Sequence, residues 1–238
     1  MSERSKFAAI CFDCDSTLTR IEGIDELARR AGVVAEIAPL TTAAMDGTLA
    51  LDEIYAKRLE IVRPDGDALA WLGARYVEEM VDGALETIAA LQAIGKPTYL
   101  VSGGFLQPVA TLARAIGIDV SNVRAVEIYL DDSGRYAGFD ASSPLTRSDG
   151  KAEICRAVAE HHGSVAIVGD GMTDLAARAA GAYVVGFGGV ARRRVMVEGA
   201  DCFVAEAPLT RTLDALLSST ELQEARRATG ARSVSTRS

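Results

Sequence analysis

The sequence is short of positive charge: 25 Lys and Arg against 33 Asp and Glu leave a formal net charge of −8. A protein that tracks nucleic acid displays a basic face, so this balance argues against nucleic-acid partners. No run approaches the roughly 18 uninterrupted apolar residues of a membrane helix, so no span is expected. Met1–Lys6 lacks the apolar segment of a secretory signal, which gives the expectation of a cytoplasmic protein. The two histidines, His161 and His162, end a helix-like segment before Gly163 and read as polar terminal residues rather than ligands. The four cysteines, Cys11, Cys14, Cys155 and Cys202, do not make a secreted disulfide framework. Cys11 and Cys14 form a CxxC, a spacing used by redox pairs and half zinc sites. A redox CxxC opens a helix, whereas Cys11 ends a strand-like run, and no second pair completes a zinc site. Small buried thiols in a reducing compartment are expected instead.

What is present is an ordinary globular composition, 49% hydrophobic and 24% charged over 238 residues. That supports one large domain, or one domain with an insertion. Residues 7–12, FAAICF, read as a buried strand. Helical spacing follows over 24–38, 49–62 and 68–80, with a loop at 63–67; on the second, Leu51, Ile54, Tyr55, Leu59 and Val62 share a side. A helix over 84–94 stops at Gly95-Lys96-Pro97 and leads to a strand at 98–101. A helix over 105–116 follows, then alternating segments 123–130 and 135–139 around Asp131–Gly134, which signal a hairpin. Helix 150–161, strand 165–168, strand 182–185, a helix near 190–198, a short strand near 202–204 and a helix near 209–217 complete the pattern. Alternating strands and helices predict an α/β fold with a parallel sheet. The expected division is a core of residues 1–18 and 81–218, a helical cap of 19–80 inserted after the first strand, and a frayed tail of 219–238.

Polar clusters fall just after the strand-like runs. Asp13 and Asp15 in CFDCDSTLT follow the first, Ser102-Gly103-Gly104 the second, and Asp170 and Asp174 a third. Lys151 opens the helix that feeds that third strand. Ligands of open parallel sheets bind outside the carboxyl ends of the strands, so these clusters are expected to converge. Each residue type suits phosphoryl transfer. A carboxylate such as Asp13 can attack phosphorus and form an acyl phosphate. Its target is a dianion, so a cation is needed, and Mg2+ prefers carboxylates, phosphate oxygen and water. Asp13, Asp170 and the backbone carbonyl of Asp15 are candidate Mg2+ ligands. Asp174, four residues on, faces the same site if a helix begins between them. Ser102 and Gly103 offer a hydroxyl and bare amides for phosphate oxygens, Gly104 a further close approach, and Lys151 a point charge. Asp15 can protonate the leaving alkoxide and then activate water. Thr173 either touches substrate or caps the helix. Arg192–Arg194 read as a solvated helix face, and Trp71, Tyr76 and Met80 as packing.

On Asp13-x-Asp15-x-Thr17, Ser102, Lys151 and Gly169-Asp170-Gly171-Met172-Thr173-Asp174, the chain resembles the haloacid dehalogenase-like superfamily of aspartate-nucleophile phosphotransferases. Within it, FDCDSTLTRIEGIDELA, VSGGF, VGDGMTDLAA and VVGFGGVARRRV are similar to the phosphoserine phosphatase family. The matching segments span residues 12–195. The resemblance implies a Rossmann-like sheet flanked by helices, a small helical cap, Mg2+ and a phospho-aspartyl intermediate at Asp13. It also implies O-phospho-L-serine as the small-molecule substrate, with Glu22 on its ammonium and Arg58 on its carboxylate. An acid and a forked cation suit such a zwitterion. One departure stands out: many members carry Phe seven residues before the arginine, where this chain has Leu51.

Other functions leave their own traces. Gly186-Phe187-Gly188-Gly189-Val190-Ala191 fits GxGxxA after a strand, with Glu206 about twenty residues on, the pattern of a dinucleotide loop. It sits in the last strand–helix unit and leaves the acidic clusters unexplained. A pure binding module would be expected to lack the nucleophile or a metal acid. Within the superfamily, transfer of the phosphoryl group to another hydroxyl such as homoserine, or hydrolysis of another small phosphomonoester, would use the same core residues.

Overall fold

The computed structural model describes residues 5–45, 49 and 51–235. Its centre is a six-stranded parallel sheet in the order β3-β2-β1-β6-β7-β8. These strands are β1 (Ala9–Phe12), β2 (Thr98–Phe105), β3 (Val123–Val126), β6 (Val165–Gly169), β7 (Tyr183–Phe187) and β8 (Cys202–Val204). A separate antiparallel hairpin joins β4 (Ile128–Leu130) to β5 (Tyr136–Phe139). Every residue of β1 and β6 is buried, as expected of strands covered on both faces. The chain runs outward from β1 through β2 to β3, then returns to β6 on the other side. The β1/β6 seam is therefore the topological switch point, where ligands of such sheets bind. Asp13 leaves β1 there and Asp170 leaves β6.

Four helices follow β1: α1 (Gly23–Ala31), α2 (Val34–Met45), α3 (Leu51–Val62) and α4 (Gly66–Glu78). The expected 24–38 helix is two, because Gly32 takes a left-handed φ of 76° and caps α1. Residues 46–48 and 50, part of the expected 49–62 helix and its approach, lie outside the described residues. The block's entry and exit lie side by side. Thr19 and Met80 form an antiparallel bridge, and the Val81 amide donates to the Leu18 carbonyl at 2.9 Å. Helix α4 packs on α6 (Leu106–Ile116), with Gly73 set against Thr111, and the Gly66 amide donates to Gly134 in the hairpin turn. The hairpin thus braces the block from the core side.

The remaining helices are α5 (Ala84–Ala93), α7 (Gly150–His162), α8 (Met172–Leu175), α9 (Arg194–Gly199), α10 (Leu213–Leu216) and α11 (Ser219–Ser235). Several sequence expectations need correction. The 123–130 strand is two: β3 edges the main sheet, and β4 turns away into the hairpin. The 190–198 helix starts only at Arg194, so no helix opens directly after Gly186–Ala191. Gly188 and Gly189 are packed against the rings of Phe203 and Phe187, so the dinucleotide reading fails. The 209–217 helix is a 3-10 turn, Leu209–Thr212, followed by α10. All four cysteines are free, three of them buried.

The tail is the largest correction. Residues 219–235 form α11, while 236–238 lie outside the described residues. Ala225 enters the core and Leu222 packs against it. The buried Lys96 ammonium bonds Glu221, Ser5 and the Phe7 carbonyl. Burial pushes the Glu221 carboxyl up, but bonds from Lys96, the Ser218 amide, Ser5 and the Lys6 amide outweigh it and hold the pKa at about 2. A depressed acid contributes stability that is full above its unfolded pKa and is lost as pH falls through the folded one. Acid titration followed by urea unfolding should therefore show stability falling from about pH 4.5 towards 2. Glu221→Gln should flatten that limb and cost about 1–3 kcal/mol at neutral pH.

Candidate active site

A pocket of about 140 Å³ opens at the carboxyl ends of β1, β2 and β6, beneath α3. It collects every residue that sequence reasoning proposed: Asp13, Asp15, Glu22, Arg58, Ser102, Gly103, Gly104, Lys151, Asp170, Thr173 and Asp174. Each arrives from its own element. Asp13 extends β1 by one rung, its amide donating to the Val168 carbonyl at 2.9 Å. Ser102–Gly104 lie inside β2, where pairing with β3 is interrupted between Val101 and Phe105. That irregularity frees the segment from the ladder. Lys151 stands on the first turn of α7, and Asp174 on α8, which begins at Met172, between Asp170 and Asp174, as the facing of Asp174 required.

Lys151 is the electrostatic centre. Its Nζ lies 2.6 Å from Asp13 Oδ1 and 2.7 Å from Asp174 Oδ1. Burial opposes the ammonium charge, but Asp13 and Asp174 outweigh it and push the pKa up. Asp174 is fully buried, and its other oxygen accepts from the Gly171 amide at 3.1 Å. A Cβ at Gly169 would collide with the Asp174 carboxylate, so this contact requires glycine. Burial, then the Asp174 charge, push the Asp13 carboxyl up against the pull of Lys151.

Asp13, Asp170 and Asp174 each offer a carboxylate oxygen, and these oxygens lie within 4.8 Å of one another. The donors are hard oxygens, the set that suits a small divalent cation such as Mg2+ rather than a thiolate-seeking metal. The pocket lining also holds five carboxyls against three cations, Lys151, Arg58 and Arg193. The residues present fit a divalent metal.

Asp15 faces elsewhere. Burial raises its pKa to about 6, opposed by the Tyr76 hydroxyl and the Gly23 amide. Tyr76, expected only to pack, is fully buried near this carboxyl, and its hydroxyl has no hydrogen-bond partner among the described residues. Ser16 follows with a positive φ of 52°, and its hydroxyl donates to Glu22 at 2.6 Å. Burial, then the Asp15 and Asp170 charges, push the Glu22 carboxyl up. Arg58 is 9% exposed, and its Nε lacks a hydrogen-bond partner among the described residues. Burial pulls its pKa down, against the attraction of Tyr55 and the site acids. An unsatisfied buried guanidinium N–H is costly unless a ligand completes it.

Arg193 corrects the sequence reading most sharply. It was expected on a solvated face, yet its Nε donates to Asp170 Oδ2 at 2.8 Å and its Nη2 to Glu22 Oε1 at 3.3 Å. Burial raises the Asp170 pKa to about 6 against this pairing. One signal was available: Arg193 lies just beyond the carboxyl end of β7, on the rim where the other clusters gather. Tyr55 and Leu51 of α3 also line the pocket.

Known proteins share this sequence pattern and fold. Residues 7–181 match the haloacid dehalogenase-like hydrolase family. The phosphoserine phosphatase of Mus musculus is 34% identical over 200 residues, covering 83% of this chain and 89% of that protein. A substrate-bound phosphoserine phosphatase complex superposes with a TM-score of 0.77 at 26% identity, over 90% of this chain and 100% of that one. A phospho-aspartyl intermediate analogue of phosphoserine phosphatase gives 0.76 at 28% identity, over 89% and 99%. The pocket at the β1/β6 seam and these matches lead to one assignment: the chain belongs to the haloacid dehalogenase-like hydrolases, and its relatives there include phosphoserine phosphatases.

Proposed function

We propose that this protein hydrolyses O-phospho-L-serine to L-serine and phosphate through a phospho-aspartyl intermediate. The observation that carries the reading is the buried Lys151–Asp13 contact beside the Asp13/Asp170/Asp174 trio, with Glu22 and Arg58 in the same pocket. Asp13, the Asp15 carbonyl and Asp170 would hold Mg2+, with Asp174 supporting or joining them; the ion supplies positive charge against the phosphoryl oxygens. A carboxylate oxygen of Asp13 attacks phosphorus as the bond to the serine oxygen breaks. Asp15, in its acid form, gives its proton to that oxygen. Its carboxylate then takes a proton from water, whose oxygen attacks phosphorus and releases phosphate, restoring Asp13. A pKa near 6 suits a group that must both give and take a proton. Lys151, Ser102 and Gly103 hold the phosphoryl oxygens, with Gly104 and Thr173 beside them. Glu22 receives the substrate ammonium and Arg58 its carboxylate.

The block 19–80 serves as a cap in this reading. Buried, unpaired thiols accord with a cytoplasmic setting. No helix among the described residues is long and apolar enough to cross a membrane.

The test is phosphate release with Mg2+, and with EDTA as control, on phosphoserine, phosphothreonine, phosphohomoserine, sugar phosphates and an aryl phosphate. Added homoserine detects phosphotransfer. Preference for phosphoserine supports the whole reading; preference for another ester keeps the Asp13 chemistry and removes the substrate. Arg58→Ala should lower kcat/KM on phosphoserine by about 100-fold, since a charged bidentate contact is lost. The same change should cost an aryl phosphate only a few-fold. Equal losses on both esters would take Arg58 out of the specificity role.

A further inference from the structure

The chemistry above makes no use of Tyr55, yet Tyr55 ties the helical block to the glycine segment at the end of β2. It stands on α3, one turn after Leu51 and three residues before Arg58. The side chain is 4% exposed and lines the pocket. Its hydroxyl donates to the Gly103 carbonyl at 2.9 Å. On the other end of the same peptide unit, the Gly104 amide donates to Ser102 Oγ at 2.9 Å. The peptide joining Gly103 to Gly104 is therefore held at both its C=O and its N–H. The Tyr55 ring leans on Phe139 of β5, centroids 5.4 Å apart, which directs the phenol.

Two consecutive glycines have the widest conformational freedom a chain can have. A segment that must grip phosphate loses affinity if that freedom is left unrestrained, because ordering it on binding costs entropy. Side chains of the segment cannot supply the restraint; Ser102 holds only the N–H end. The carbonyl end is held from across the seam, by α3.

We propose that Tyr55 is a positioning residue that fixes the Gly103–Gly104 peptide plane, so the phosphate-binding segment is ordered only when α3 lies against the core. Arg58 is on the same helix, so seating of the substrate's head and ordering of the segment share one rigid element. The inference rests on the phosphatase reading of the site.

Tyr55→Phe removes the hydroxyl and keeps the ring. Three readouts apply: calorimetric binding of inorganic phosphate with Mg2+, steady-state kinetics on phosphoserine, and amide exchange over residues 100–106. Phosphate affinity and KM should weaken together by about three- to tenfold, the worth of one hydrogen bond, with a smaller loss in kcat. Exchange at residues 102–105 should accelerate while the melting temperature falls by only about 2–4 °C. Phe139→Leu provides the packing control: it should lower the melting temperature and keep phosphate affinity. Wild-type phosphate affinity and exchange in Tyr55→Phe would overturn the proposal, as would a weakening of phosphate affinity in Phe139→Leu equal to that in Tyr55→Phe. The two readings separate cleanly. A wild-type chain that turns over no ester, with exchange still accelerated in Tyr55→Phe, defeats the phosphatase reading and supports the restraint. Normal turnover with no change in Tyr55→Phe does the reverse.

Discussion

Asp13→Asn is expected to lower phosphate release by a factor on the order of 10⁵ while leaving the fold intact. An amide oxygen is a poor nucleophile towards phosphorus, and no neighbour substitutes for it. Asp15 faces Tyr76 and Gly23 instead, and Asp174 is held by Lys151 and Gly171. Stability should hold or rise in the absence of divalent metal. Asp13 and Asp174 both crowd Lys151, and burial and like charge already push the Asp13 carboxyl up. Replacing one of two buried acids with a neutral isostere relieves that repulsion. Wild-type protein quenched during turnover of labelled phosphoserine should carry an alkali-labile phosphoryl group on Asp13, and the Asn variant none. Near-normal turnover in Asp13→Asn would end the mechanism.

Lys151→Met carries the second large effect, and it falls on both stability and activity. The substitution keeps length and removes the charge. Two buried carboxylates, Asp13 and Asp174, then lose their shared cation. Removing one partner from a buried ionic cluster costs about 3–5 kcal/mol, because the remaining charge is neither hydrated nor paired. Denaturation in EDTA should show that loss, and Mg2+ should restore part of it. Lys151→Met with Asp174→Asn should recover more than half, since one orphaned acid is gone. Phosphate release should fall at least about 10³-fold in the single variant, as a preorganised positive charge leaves the site. Unchanged stability in EDTA would show that Lys151 does not neutralise these acids.

The sequence spoke clearly where one residue type could do only one kind of work. Asp13, Asp15, Asp170, Asp174 and Lys151 were legible because each stands at the carboxyl end of a strand or the start of a helix, and strand ends converge. Residues acting across the seam were harder. Tyr76 and Tyr55 look like apolar positions of a helix, and in part they are; only the fold reveals that the Tyr55 hydroxyl meets Gly103 and that Tyr76 is buried near Asp15. Arg193 was hidden within three consecutive arginines, where a solvated face is the ordinary outcome, and only its neighbours Arg192 and Arg194 fit that description well. The α11 helix was missed for a similar reason. Its composition is polar, and its hold on the core depends on Lys96 and Glu221, which lie 125 residues apart. Segment boundaries failed where a glycine or a change of partner intervened, at Gly32 and between Val126 and Ile128.

The position of β1 at the middle of the sheet bears on how the chain must be made. Ala9–Phe12 emerge from the ribosome before either neighbour, and β2 can dress one edge once Thr98 is out. The other edge waits for Val165–Val168. Through much of synthesis, then, an all-apolar strand keeps a bare hydrogen-bonding edge, the condition under which nascent chains recruit chaperones or aggregate. Asp13 is likewise without Lys151 and Asp170 until that late stage. A chain halted before β6 has no assembled site, so an unfinished product of translation carries no stray activity.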